Sequence, residues 1–119
     1  MPSTVQPVLV SRDLERLAGF YRALLGAVET GRVPADGPTF FLDLRIGDSD
    51  LGIVAVGDAP AGPQRMLLSI DVADVDALLP RVSELGGHVE GPANDMPWGQ
   101  RVAHVQDPDG NAVNLTQRT

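Results

Sequence analysis

Residues 10–28, VSRDLERLAGFYRALLGAV, decide how this chain is read, because residues 71–89, DVADVDALLPRVSELGGHV, repeat their plan 61 positions later. Asp13, Leu14, Leu17, Leu24, Gly26 and Val28 fall on Asp74, Val75, Leu78, Leu85, Gly87 and Val89. The correspondence continues with Glu29 on Glu90 and, past a loop, Asp48 on Asp109. A fixed internal period marks a duplicated unit and is settled before any other feature is read. In the first copy Asp13 stands as an N-cap before apolar residues at helical spacing (Leu14, Leu17, Ala18, Tyr21, Leu24, Leu25), and Gly26 closes the helix.

Working outward, residues 5–10 form a short apolar run suited to a strand, 28–32 read as extended, and 39–46 alternate as a strand. A turn at 47–50 leads to a further strand over 51–56, and 57–64, with Gly57, Pro60, Gly62 and Pro63, has the composition of a linker. The second copy gives a strand over 66–72, a helix from the Asp74 cap to Leu85, and extended segments at 88–90, 101–106 and 112–117. The expected organisation is one α+β domain over 1–119. Module 1 spans about 5–57, a linker 58–64 and module 2 about 65–117, each module β-α-β-β-β. Pro80 departs from the plan: inside a helix it removes a hydrogen bond and is expected to bend it, at a cost of about 3 kcal/mol.

Strand alternation assigns faces. On 39–46, Leu42, Leu44 and Ile46 are expected against the helix, with Phe41, Asp43 and Arg45 opposite. The repeat places Ala103 and Val105 toward the second helix and Val102, His104 and Gln106 opposite, with Leu9 and Leu68 facing the helices. Gln6, Val8, Val10, Leu51, Ile53, Ala55, Leu67, Ser69, Asp71, Ala112, Asn114 and Thr116 are then expected to line the second face. That face mixes apolar and polar residues as a ligand cleft does.

Composition narrows the function classes. The chain is 43% hydrophobic and 21% charged, ordinary for a soluble globular protein. No apolar run approaches the roughly 20 residues of a membrane span, and no basic-then-apolar leader is visible near Met1, so the cytoplasm is the expected compartment. Cysteine is absent, which removes disulfides, thiolate nucleophiles and thiolate ligands together. All nine basic residues are arginine, the net charge is −7 and no basic cluster occurs, which argues against nucleic acid and favours a cationic small molecule.

Asp107-Pro108-Asp109-Gly110-Asn111, followed by Ala112-Val113-Asn114-Leu115, joins Arg12-Asp13-Leu14, Phe20-Tyr21-Arg22, Leu25-Gly26 and Pro97-Trp98-Gly99 in a recognisable set. Over essentially its whole length the chain resembles the vicinal oxygen chelate superfamily of glyoxalases, ring-cleaving dioxygenases and bleomycin resistance proteins. The resemblance implies paired modules whose mixed sheets curl around a cleft, usually in a homodimer. It also implies that metal-dependent members would place ligands at Gln6, Leu67 and Asn114, with Ile53 as the repeat mate of the last. An amide, a leucine and an amide supply neither imidazole nor carboxylate, so no metal and no cofactor are expected. Histidine occurs only at His88 and His104, and His88 falls in the turn after the second helix.

The candidate ligand-binding residues are therefore Gln6, Phe41, Asp43, Leu67, Ser69, Trp98, His104 and Asn114. His104 is a hydrogen-bonding side chain, its repeat mate Asp43 attracts a cationic group, and Trp98, the sole tryptophan, is a stacking platform. No catalytic residue is assigned, since nothing supplies a nucleophile or a second acid. Arg101 is read as structural, Asp74 as a cap and Asp76 as a helix-dipole partner, which leaves Asp71 as the remaining carboxylate of the face. The expected function is metal-free binding of an aromatic or cationic compound such as an antibiotic. The alternatives are a glyoxalase-, epimerase- or dioxygenase-like enzyme working through His104 and Asp43 or a displaced ion, and a non-catalytic interaction module.

Overall fold

The computed structural model describes residues 3–119, which divide between Pro60 and Ala61 into two compact units, unit 1 before the division and unit 2 after it. Among the described residues are two helices and nine strands in an α+β arrangement. Unit 1 contains β1 (Val8–Ser11), α1 (Leu14–Leu25), β2 (Val28–Val33), β3 (Phe41–Ile46) and β4 (Ser49–Ala55). Its sheet runs β1-β4-β3-β2, with β1 and β4 parallel and the other pairs antiparallel. Unit 2 contains β5 (Leu67–Asp71), α2 (Val75–Glu84), β6 (His88–Val89), β7 (Asn94–Met96), β8 (Gln100–Gln106) and β9 (Ala112–Arg118). Its order is β5-β9-β8-β6, again with the first pair parallel, and β7 adds to β8. Both modules thus carry the β-α-β-β-β plan, each with its own mixed sheet. β7 is an addition to the expected elements: it forms a hairpin with β8 around Pro97, Trp98 and Gly99, a segment whose turn residues read as loop.

The helix starts are as the sequence dictates. Asp13 accepts the Arg16 N–H at 3.1 Å, and Asp74 accepts the Ala77 N–H at 3.3 Å. Gly26 ends α1 at φ 68, a conformation open to glycine and strained for other residues. The structure adds a second cap on α2, because the Gln117 side chain on β9 accepts the Val75 N–H at 2.8 Å. α2 continues through Pro80 to Glu84 without a break, so the proline costs the helix a backbone bond without ending it.

In unit 1 the helix-facing layer is Leu9, Leu42, Leu44, Leu51 and Ile53, all buried, under Leu14, Leu17, Ala18, Tyr21 and Leu24 of α1. This corrects the expected placement of Leu51, Ile53 and Ala55 on the other face. A two-residue turn at Gly47 and Asp48 pairs Ile46 with Ser49, and counting outward sets Leu42 opposite Ile53 and Leu44 opposite Leu51. Cross-strand partners share a face, so all four point at the helix.

Unit 2 has a five-residue connection instead, from Asp107 to Asn111. Its register pairs Gln106 with Ala112 and His104 with Asn114. The Asp107 carboxylate, buried in this turn, accepts the backbone N–H of Asp109 at 3.0 Å and of Asn111 at 2.9 Å, and the Asn111 amide at 2.9 Å. Asn111 in turn accepts the Gln64 N–H at 2.8 Å, which binds the segment before β5 to the turn before β9. Ala103, Val105, Val113 and Leu115 are buried on the helix side, as expected.

Candidate functional site: two sheet faces

On the face of unit 2 away from α2, the strand register builds three rows across β5, β9 and β8. Leu67, Ala112 and Gln106 form the first, Ser69, Asn114 and His104 the second, and Asp71, Thr116 and Val102 the third. The alternation expected for this sheet therefore holds at every position. Leu67 is 55% exposed and forms an apolar shelf beside the polar middle row. In that row His104 Nδ1 lies 2.7 Å from Asn114 Oδ1. In the third row the buried Thr116 hydroxyl donates to Asp71 at 3.0 Å, so Asp71 already has a partner.

The corresponding face of unit 1 carries Val8, Gly52 and Asp43 in one row and Val10, Val54 and Phe41 in the next. Gln6 donates its amide N–H to Asp43 Oδ1, and Arg45 meets Asp50 at 3.1 Å. Gly52 is essential to this packing. A Cβ there would come within 3.0 Å of the Phe41 ring and 3.2 Å of Val8, so the ring lies over backbone where unit 2 has the Asn114 side chain. Gly52, and not Ile53, is the structural counterpart of Asn114, since the turn lengths move the repeat by one residue between the third and fourth strands.

The eight candidate residues fall into three places. Leu67, Ser69, His104 and Asn114 come together on unit 2. Gln6, Phe41 and Asp43 come together on unit 1. Trp98 joins neither group: it is 67% exposed in the β7–β8 turn, its indole N–H donates to Gln100 at 2.9 Å, and it stands six residues before His104, roughly 20 Å along an extended strand. Gly52 is the site residue that sequence reasoning missed. The signal for it was the two-residue turn, which fixes pairing by counting.

The strongest electrostatics join strands to helices. Arg101 donates to Asp76 on α2 at 2.7 and 3.1 Å and to Asp95 on β7 at 3.1 Å, so its structural role is to tie β8 to the helix as well as to the neighbouring strand. Its hydrogen bonds hold the Asp76 carboxyl below the ordinary range, and the guanidinium is raised in return. In unit 1 Arg32 grips Glu29 at 2.8 and 2.7 Å and reaches Glu15 on α1 at 3.3 Å, with Arg22 also on Glu29 at 3.2 Å. The Arg32 hydrogen bonds hold Glu29 low.

Residues 4–115 match the sequence model of the Glyoxalase/Bleomycin resistance protein/Dioxygenase superfamily. The chain belongs to this superfamily. Over 112 residues it is 34% identical to the anthracycline biosynthesis protein DauV of Streptomyces sp. (strain C5), an alignment that covers 92% of this chain and 39% of DauV, so the chain spans about two-fifths of that relative. A glyoxalase-related enzyme from Fulvimarina pelagi superposes with a TM-score of 0.79 at 23% identity, covering 99% of this chain and 89% of its own. The bleomycin resistance determinant encoded on transposon Tn5 superposes at 0.70 and 22% identity, with 98% of both chains covered. At these identities the two structures speak to the fold alone.

The resemblance implies that metal-dependent members would carry imidazole and carboxylate ligands at the positions of Gln6, Leu67 and Asn114. Here the Gln6 amide is engaged with Asp43, Leu67 has no donor, the Asn114 oxygen is engaged with His104, and the fourth position is a glycine. This donor set does not fit a divalent transition ion. Among the described residues no three His, Cys, Asp or Glu side chains gather as a metal site would require, and no helix is long and apolar enough to cross a membrane.

Proposed function

We propose that this superfamily member is a metal-free binding protein that sequesters or carries an aromatic or cationic small molecule, such as an antibiotic. The observation that carries the reading is the middle row of unit 2. It consists of Ser69, Asn114 and His104, set beside the apolar shelf of Leu67 and Ala112; of these, Asn114 and Leu67 stand where the resemblance implies ligands in metal-dependent members. A few placed polar groups next to apolar surface are what a small-molecule site uses for orientation and affinity. The net charge of −7 favours cationic over anionic ligands at long range. Likeness to a protein named for anthracycline biosynthesis supports the same class. The working unit in this reading is a homodimer in the cytoplasm.

Isothermal titration calorimetry against a panel of anthracyclines, glycopeptides and cationic aromatic antibiotics tests the proposal. Saturable binding near one equivalent per subunit, with the compound recovered unchanged, is the expected result. Absence of binding across the panel, or product formation that His104→Ala abolishes, would turn the reading toward an interaction module or an enzyme respectively.

A further inference from the structure

The hydrogen bond between His104 and Asn114 fixes more than a side-chain position. Asn114 Oδ1 only accepts, so the proton in the 2.7 Å contact sits on His104 Nδ1. In the neutral ring Nε2 then carries a bare lone pair. Neither Nε2 nor the Ser69 hydroxyl, the next side chain along this row, has a protein partner among the described residues. His104 is exposed on its strand while Leu67 and Ala112 occupy the adjacent row. An asparagine thus converts a histidine of either tautomer into a directional acceptor standing beside an apolar shelf.

We infer that His104 Nε2 is a specificity-determining acceptor, and that the site selects aromatic ligands whose edge carries a hydrogen-bond donor, a phenolic O–H or a ring N–H. The inference rests on the binding reading above and narrows it. A donor-free aromatic of equal size reaches the same shelf but leaves Nε2 desolvated and unpaired, and such a vacancy costs more than a made hydrogen bond gains. Module 1 offers no equivalent: its histidine mate is Asp43, already holding Gln6, and its asparagine counterpart is Gly52.

The test uses two matched pairs, 2-naphthol against 2-methoxynaphthalene and indole against N-methylindole, titrated into the whole chain. The donor-bearing member of each pair is expected to bind about tenfold more tightly. His104→Leu is expected to bring each pair to parity. Asn114→Leu leaves the imidazole but frees its tautomer and is expected to shrink the preference. Two-bond ¹H–¹⁵N spectra of the free protein are expected to show His104 protonated at Nδ1, and lost specificity of tautomer in Asn114→Leu, a readout independent of any ligand. Equal binding within both pairs overturns the acceptor role while leaving a binding protein. An Nε2–H tautomer in the free protein overturns it as well. Binding of none of the four compounds overturns it, and the antibiotic panel then decides the broader reading separately.

Discussion

The two modules share one plan and use it differently. α1 buries six residues, Leu14, Leu17, Ala18, Phe20, Tyr21 and Leu24, with the Phe20 and Tyr21 rings edge to face at 5.2 Å. α2 buries only Val75 and Val82, is two residues shorter than α1 by its bounds, 75–84 against 14–25, and contains a proline. Where the first copy has Phe20 and Tyr21, the second has Arg81 and Val82. The sheet faces away from the helices diverge in the opposite sense. In module 1 Phe41 and Val8 close over Gly52, Asp43 holds the Gln6 amide and Arg45 pairs with Asp50, whereas in module 2 a polar row keeps free hydrogen-bonding groups. Duplication preserved caps and register elements, while the side chains assigned one copy to packing and the other to recognition.

The comparison is broken most severely at the helices. Tyr21→Ala is expected to cost about 4 kcal/mol, and Val82→Ala about 2 kcal/mol, in urea unfolding followed by circular dichroism. Equal losses would mean that the two cores carry equal weight and that the burial difference has no energetic content. The turns come next. Asn111→Ala leaves the buried Asp107 carboxylate short of a donor and the Gln64 N–H without its acceptor, and is expected to cost about 2 kcal/mol. Asp48→Ala, at the exposed counterpart turn, is expected to stay within about 0.5 kcal/mol.

A subtler change probes the slipped repeat. Gly52→Ala pushes a methyl group against the Phe41 ring and is expected to cost about 1 to 2 kcal/mol, with Phe41→Leu in the same chain restoring most of it. A neutral Gly52→Ala without rescue behaviour would deny that the ring is seated on the glycine.

How far the sequence carried the fold is clear at these same residues. Caps at Asp13 and Asp74, the glycine stop and the alternation of β8 were legible because each rests on local chemistry with a fixed period. The family motif was legible because Asp107 and Asn111 form a buried, self-satisfying turn. Ile53 was misassigned for a physical reason: the face of a strand depends on the number of residues in the preceding turn, and a two-residue turn flips what a longer one would not. Trp98 was grouped with His104 by chemistry alone, although strand length separates them. The Gln117 cap and the Arg101–Asp76 bonds join residues 42 and 25 positions apart, and only the folded sheet brings them together.

The smallest effect distinguishes how the two modules fasten helix to sheet. Glu29 and Asp76 both have carboxyl groups lowered by arginine, so the unfolded chain binds more protons in acid. Their stabilising contribution is therefore complete above the ordinary carboxylate range, near pH 4, and is lost as pH falls through the lowered folded values. Both groups are near the surface, so the effect is small and about 1 M salt should weaken it. The modules nonetheless predict different responses to loss of one arginine. Glu29 keeps Arg22 when Arg32 is replaced by Gln, whereas Asp76 keeps only its own backbone N–H when Arg101 is replaced. Urea midpoints measured from pH 6 down to about pH 3 should therefore lose most of the Asp76 share of the acid slope in Arg101→Gln and a smaller part of the Glu29 share in Arg32→Gln. An acid slope unchanged in both variants would mean that neither ion pair couples protonation to folding.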